Sequence, residues 1–500
     1  MYDKTFLALG VAAAIMTGGC TGKDRAAGGT ASEVLSGEVA GTITVSCYDS
    51  LTYKNFLDAA AKAFEEAYPG TTVTIETFSE MPEIKTSEDG NNKIVVVQAR
   101  NDPQSRSDYI NRVHTSLMSG GGADIFAADI LPFHTYVENG RLENLDAYIA
   151  GDSAFNAADF RRNILNASRY NGGLYVMPID YSFTYFAYDS TLLQGEITAG
   201  FGTGSAFTSG DLIENIEHLV ENGKGVSLFD GSVPMFNLYD FSPDGMVQLM
   251  WNERCMSFLD LEHKRADFTG GAFAAMLTAL RDYGDKGYIP RAVSARAGTA
   301  RQDAAALMRE AAGQQTDRYV FKANHAFSLV SQFSRNAGRR MLARGSTGIV
   351  DDDEIAGIAA REDGAVPFTF GQAYGINANS ANKRTAWEFL KFLLREDMQT
   401  ATAVSTLPLN NAARAKKAEL VFSGAGIGGR VPLDEKQRAA LDAYREAVER
   451  LSDQITAYTF HDTIIDDMVH AEIAYFANGS RSAEEVAGVL QNKAGLYLNE

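Results

Sequence analysis

The chain has 500 residues, 45% apolar and 10% aromatic, enough for two or three domains of ~100–200 residues each and too rich in core formers for a disordered or fibrous protein. Its 64 acidic residues outnumber 45 basic ones, a net charge of −19 that repels phosphate backbones, and the basic doublets Arg339–Arg340 and Lys416–Lys417 are too short to make a nucleic-acid patch against that field. Three cysteines, Cys20, Cys47 and Cys255, form neither a disulfide framework nor a zinc pattern.

At the N-terminus Lys4 precedes an apolar run from Phe6 to Met16, then Thr17-Gly18-Gly19-Cys20. The run is shorter than the ~20 residues of a membrane span and reads as a secretory signal with a small-residue cleavage site. Its end resembles a bacterial lipobox, which implies that residues 1–20 are a lipoprotein signal, that Cys20 is acylated and that the chain is anchored at the outer face of the cell membrane. The alternative is an ordinary signal with an unmodified cysteine. Residues 21–40, rich in Gly, Ala, Ser and Thr, read as a flexible tether.

Gly41 to Cys47 reads as a strand, Tyr53 to Tyr68 as a helix with Phe56, Leu57, Ala60 and Phe64 on one face, and Thr71 to Thr77 as a second strand. This βαβ unit predicts a parallel sheet with right-handed crossovers. A strand is expected at Ile94 to Ala99, a helix from Asp108 to Met118, a strand at Ala123 to Ala127 and a helix from Pro132 to Asn139. Leu174 to Met177 and Phe183 to Tyr188 read as strands. Helices are expected at Ser209 to Glu221, Ala272 to Tyr283 and Gln302 to Ala311, with a strand signal within Val320 to Val330. The last part is helical, at Lys383 to Arg395, Asp434 to Ser452, Ile464 to Phe476 and Ser482 to Leu498. The class is α/β, and ligands of such sheets sit beyond the carboxyl ends of the strands.

Several blocks in this order resemble extracellular solute-binding proteins of the maltose-binding-protein type (family 1). They are Phe64-Glu65-Glu66-Ala67-Tyr68-Pro69-Gly70 after the first strand; Ser119-Gly120-Gly121-Gly122-Ala123-Asp124-Ile125; Gly140-Arg141-Leu142-Glu143-Asn144-Leu145; Gly173-Leu174-Tyr175-Val176-Met177-Pro178; Gly371-Gln372-Ala373-Tyr374-Gly375-Ile376; and Gly479-Ser480-Arg481-Ser482. The resemblance covers residues 41–498, apart from an inserted-looking stretch from Ser79 to Asp108 and a poorly matching one from Gly225 to Phe258.

The resemblance implies a two-lobed periplasmic-binding-protein-like fold (type II) with a helix-rich second lobe. Residues 41–179 plus 372–407 would make lobe 1, and 185–367 plus 410–500 lobe 2, with crossings near Pro178 to Tyr185, Phe368 to Gly375 and Leu407 to Asn410. It implies the substrate-binding component of an ABC importer, a monomer that closes on a small solute, most simply an oligosaccharide, and passes it to permease subunits. Position nominates Tyr48, Asp49, Asp129, Asp180, Tyr181, Phe183, Tyr374 and Trp251 as ligand-binding residues. Rings suit the C–H faces of a sugar and carboxylates accept from its hydroxyls. Tyr48, Tyr374 and Trp251 read equally well as core, Phe183 better as core, and Trp387, on an amphipathic helix, as packing. Asp124 reads as bracing its turn, Cys47 and Cys255 as buried thiols.

No catalytic residues, cofactor or metal site are expected. Ser380-x-x-Lys383 matches the Ser/Lys spacing of penicillin-binding enzymes without the partner motifs, and the seven histidines lack metal-ligand spacing. A surface-anchored sensor or adhesin on the same fold, or a cell-envelope hydrolase, remain alternatives.

Overall fold

The computed structural model describes residues 35–48, 51–78, 84–89, 92–97, 103–189, 202, 204–221, 236–238, 245–261, 263–285, 321–327, 353–422, 435–459 and 462–499. Cys20, Asp49 and the helix expected at Gln302 to Ala311 lie outside these residues.

Strand β1 (Gly41–Tyr48) buries Ile43, Val45 and Cys47, and helix α1 (Leu51–Ala67) lays Phe56, Leu57, Ala60 and Phe64 against the sheet. Pro69 and Gly70, with φ at +95°, turn the chain into β2 (Thr71–Phe78), parallel to β1. An antiparallel hairpin of β3 (Ile84–Asp89) and β4 (Asn92–Val97) follows. Helix α2 (Pro103–Met118) starts five residues earlier than the sequence suggests, Pro103 opening its first turn. Then come β5 (Ile125–Ala127), α3 (Phe133–Glu138), α4 (Leu145–Gly151), α5 (Arg162–Ala167), β6 (Met177–Ser182) and β7 (Thr184–Asp189). The middle of the chain gives β8 (Ala206–Phe207), α6 (Ser209–Glu221), β9 (Phe236–Leu238), α7 (Gly245–Phe258), β10 (Leu259–Asp260), β11 (Arg265–Ala266), α8 (Ala272–Asp285), β12 (Phe321–His325) and β13 (Asp353–Ala359). It ends with β14 (Pro367–Ile376), α9 (Lys383–Leu393), α10 (Glu396–Gln399), β15 (Leu407–Pro408), α11 (Asn411–Phe422), α12 (Glu435–Ser452), β16 (Ala457–Tyr458), α13 (Thr463–Ala477) and α14 (Ala483–Tyr497).

Two main sheets result. The first runs β15-β6-β14-β5-β1-β2 with β16 beside β14, the second β8-β13-β7-β12-β9. The chain passes from one to the other between Ser182 and Thr184, returns between β13 and β14, and touches the first sheet again at β15. The parallel sheet expected from β1 and β2 is therefore mixed. β5 joins them in parallel, but β14 runs antiparallel to both β5 and β6, because it re-enters the sheet from the other lobe. The strand expected at Leu174 to Met177 begins at Met177 and continues to Ser182. All six of its residues are buried, so no polar–apolar alternation marks it.

Two cores result, and β7 and β13 of the second sheet put Tyr185, Ala187 and Ile358 into the first and Phe186, Tyr188 and Ala356 into the second. The first holds Ile43, Val45, Phe64, Ile125, Phe126, Tyr374, Trp387 and Leu390. The second holds Phe186, Trp251, Phe258, Phe268, Phe273, Ile465, Val469 and Leu490. Residues 411–452, which the sequence reading groups with the second lobe, contribute Ala418, Val421, Leu441, Val448 and Leu451 to the first core. Trp387 is packing, as its helix position suggests, and its indole N–H donates to Asp152 at 2.8 Å. Asp124 accepts from the backbone N–H of Thr44 at 2.9 Å and from the Ser380 hydroxyl, tying β1, β5 and the turn after β14 together. No described helix is long and apolar enough to cross a membrane.

Candidate functional site

β1, β2 and β5 are parallel, so their carboxyl ends share one edge of the first sheet, where Tyr48 and Phe78 end β1 and β2 and Asp129 follows β5. Tyr48 is half-buried, its ring 5.7 Å from that of Tyr109. Helix α13, built into the second core by Ile465, Val469 and Ile473, lays its first turn over the same edge. The Thr463 hydroxyl donates to the Ile130 carbonyl at 2.6 Å, Ile464 packs against the first core, and Asp467 pairs with Arg106 of α2 at 2.6 Å. The crevice between the lobes is therefore shut at this side.

Asp129 is partly exposed at the crevice edge. Burial pushes its carboxyl up to about 7, its own backbone N–H opposes the shift, and the nearby Asp180 adds to it. Among the described residues no side chain donates to Asp129. Burial raises the hydroxyl of Tyr458, on β16, above the ordinary tyrosine range, and the charges of Asp129 and Asp466 add to the shift. Its ring stacks on Phe370 with centroids 4.2 Å apart, and Phe133 stands 5.8 Å away. Together Tyr48, Asp129, Ile130, Tyr458 and Thr463 offer rings, hydroxyls and one carboxyl on two facing walls.

The remaining nominated residues sit deeper. Asp180 is buried at the first crossing. Burial pushes its carboxyl up to about 6, against the Thr406 hydroxyl, which donates at 2.6 Å, and the charge of Lys417. Lys417, also buried, is lowered to about 8 and donates to the carbonyls of Ala401 at 2.9 Å and Val404 at 2.7 Å. Tyr181 is fully buried, bonded to Ser452 at 2.6 Å and to Arg414. Phe183 is buried between the sheets, its carbonyl accepting from Ala326 at 2.9 Å. Tyr374 is buried beside Ala127 and donates to Gln372 at 2.9 Å. Asp180 and Tyr181 thus belong to the connection between lobes, and Tyr374 to the sheet behind Asp129.

Of its two readings, ligand platform or core, Trp251 takes the core one. It is 1% exposed, clusters with Phe258 and Phe268, each ring centroid 6.1 Å away and tilted by 6° and 13°, and donates to Asp466 at 2.6 Å. It is a core residue of the second lobe, because the turn that faces the crevice is α13 and Trp251 lies behind it.

Residues missed by sequence reasoning complete the picture. The Tyr53 hydroxyl donates to the Gly371 carbonyl at 2.6 Å, bridging α1 to β14, and burial beside Asp129 and Asp180 holds it above the usual range. A Cβ at Gly371 would meet Asp180 Oδ1 at 2.7 Å, so only glycine lets the two crossings lie this close. Asp462 caps α13 through the N–H groups of Ile464 and Ile465, and the Tyr497 hydroxyl donates to it at 3.1 Å. Lone acids in a chain this acidic carry no sequence signal for such a role.

The Ser/Lys spacing makes no catalytic pair. Ser380 donates to Asp124, and Lys383 pairs with Glu143 at 2.9 Å. No cluster of three metal-ligating side chains occurs among the described residues. A cavity of about 490 Å³, lined by Ser46, Glu76, Phe78, Tyr109 and Arg112, opens between α2 and the sheet, away from Asp180 and Tyr458.

A model of the bacterial extracellular solute-binding protein family matches residues 87–420, more than half of the chain. Among solved structures, an extracellular solute-binding protein of family 1 from Alicyclobacillus acidocaldarius superposes with a TM-score of 0.54 at 16% identity, covering 93% of this chain and all of the other. An ABC substrate-binding protein from Listeria monocytogenes, in complex with cycloalternan, gives 0.54 at 14% identity over 92% of this chain and 99% of its own. The sugar-binding protein MalE from Xanthomonas citri gives 0.54 at 13% identity over 92% and 97%. Among the curated proteins no sequence matches.

Proposed function

Because the chain belongs to the bacterial extracellular solute-binding proteins, we propose that it takes up a small oligosaccharide in the crevice between its lobes and delivers it, chemically unchanged, to the permease of an ABC importer. The observation that carries this reading is Asp129. It is a carboxyl at the strand ends, lacking a side-chain donor among the described residues, with Tyr48 and Tyr458 beside it on the first lobe and the first turn of α13, through Thr463, facing it from the second. A sugar supplies hydroxyls to such a carboxyl and C–H faces to such rings. The cycloalternan held by the Listeria protein supports a carbohydrate over other polar solutes. In this reading Asp180, Tyr181 and Phe183 serve the hinge, Tyr374 backs the site, and lobe 1 is built on residues 41–179 plus 372–407.

The remaining parts of the proposal concern location. Cys20 carries the lipid, residues 21–40 tether the folded part, and the protein works as a monomer on the outer face of the membrane. Its partner is a permease with its ATPase, since the chain has no phosphate-cradling loop of its own.

A thermal-shift screen with maltotriose, cycloalternan and related glucans tests this. A ligand that binds only the folded state stabilises it by about 2.7 kcal/mol at a hundredfold excess over Kd. The expected outcome is a raised Tm with one of these sugars, lost in Asp129→Asn, with the sugar recovered intact by chromatography. Millimolar sugars that leave Tm unmoved, or a sugar recovered cleaved, would overturn it.

A further inference from the structure

The first turn of α13 is held by both lobes at once. Consecutive helical residues point about 100° apart, so neighbours can face different partners. Asp466 turns inward to Trp251 at 2.6 Å, and Asp462 is fixed by Tyr497 of α14, which anchors the turn in the second lobe. Thr463 reaches the Ile130 carbonyl at 2.6 Å, Ile464 packs on the first core, and Asp467 meets Arg106 at 2.6 Å, which ties the same turn to the first lobe. The Arg106–Asp467 pair is the charged member of this set. Its side chains are 34% and 41% exposed, so solvent and salt reach it.

We propose that Arg106 and Asp467 act as positioning residues, a latch across the crevice that draws the lobes together and sets how much of the protein is closed before any solute arrives. The inference rests on closure being the capture step. A protein whose binding-competent state is only fractionally populated loses apparent affinity by that fraction, so the latch raises solute affinity without touching the solute. It makes no bond to Asp129 or Tyr458. It lies at the entrance, between α2, whose Tyr109 packs beside the strand ends, and the helix that covers them.

The test needs no ligand. Donor and acceptor dyes placed on exposed positions of the two lobes report their separation in single molecules of the complete mature chain. The variants are Arg106→Ala, Asp467→Ala, the double alanine variant and the charge exchange Arg106→Asp with Asp467→Arg. Exposed pairs of this kind shift an equilibrium about two- to fivefold. Each single variant is expected to lower the closed-to-open ratio by that factor, the double variant by no more, and the exchange to restore it. Raising salt from 0.02 to 0.5 M should open the native protein and leave the double variant unmoved, because the Debye length shortens several-fold. Unchanged melting temperatures separate loss of the latch from loss of the fold. A separation indifferent to all four variants and to salt overturns the proposal. Failure of the sugar screen would leave it standing, since no step here uses a solute.

Discussion

The core of the second lobe and the crevice edge of the first each hold an acid raised by burial, and the two are answered differently. Glu253 on α7 is 4% exposed and pushed up to about 8, yet both its oxygens are used: Ser209 donates its N–H at 2.8 Å and its hydroxyl at 2.6 Å. Asp129 is pushed up to about 7 and has no side chain donating to it among the described residues. A satisfied buried acid is structure, holding the start of α6 to α7. One at a strand end without a side-chain donor is where the proposed reading puts a guest's hydroxyl. They differ in depth and in partners, Glu253 being sealed in the core with both oxygens used and Asp129 partly open to solvent.

The largest test of this contrast is on the second lobe's side. Trp251→Ala removes a buried indole from a three-ring cluster, and its urea-unfolding free energy should fall by about 3–5 kcal/mol. Tyr48→Ala at the crevice edge should cost less than about 1.5 kcal/mol while weakening solute binding. Next is Glu253→Ala, which strands the Ser209 donors and should cost about 2–3 kcal/mol. The pH profile sharpens it. With the folded value near 8 and the ordinary value at 4.5, the unfolded chain has released this proton across a window where the folded chain keeps it. Stability therefore falls as pH rises from about 4.5 to 8, and Glu253→Gln should flatten that fall in denaturation curves taken at successive pH values. An equally steep profile in the glutamine variant would refute the assignment.

Smaller effects belong to the hinge and the crevice. Gly371→Ala forces a methyl against Asp180 and should destabilise by about 1–3 kcal/mol, with a changed inter-lobe separation in scattering profiles. Asp129→Asn should gain about 1 kcal/mol near pH 8, because solvent screens much of the penalty, while abolishing any sugar-dependent rise in Tm. A variant that lost stability at pH 8 would show that Asp129 is answered after all.

The sequence was most readable where periodicity and end signals agreed. The β1–α1–β2 unit is bounded by Pro69 and Gly70. The last helix announces itself by Ser482 and Glu485, whose side chains cap each other's backbone N–H groups. It was least readable where burial is complete. β6 has no exposed residue to set its register, and α7, with Val247, Leu249, Met250, Trp251, Cys255 and Phe258 all buried, offers no polar face to show which way its tryptophan looks. Of the proposed site, Tyr48 and Asp129 are nominated by the rule that ligands sit beyond the ends of parallel strands. Tyr53, Tyr458 and the first turn of α13 are not, because each reaches the crevice through a contact hundreds of positions away. Tyr53 and Gly371 are separated by 318 residues.

The position of β14 between β6 and β5 also dictates the order in which the protein can be made. β1, β2 and β5 pair with one another directly, but β6 cannot join them, for the strand that stands between β6 and β5 begins only at residue 367. The first sheet is completed only after the chain has passed through all strands of the second. Folding must therefore wait on a late, distant pairing and be slow, and a truncation before β14 should leave no stable fragment for proteases to spare.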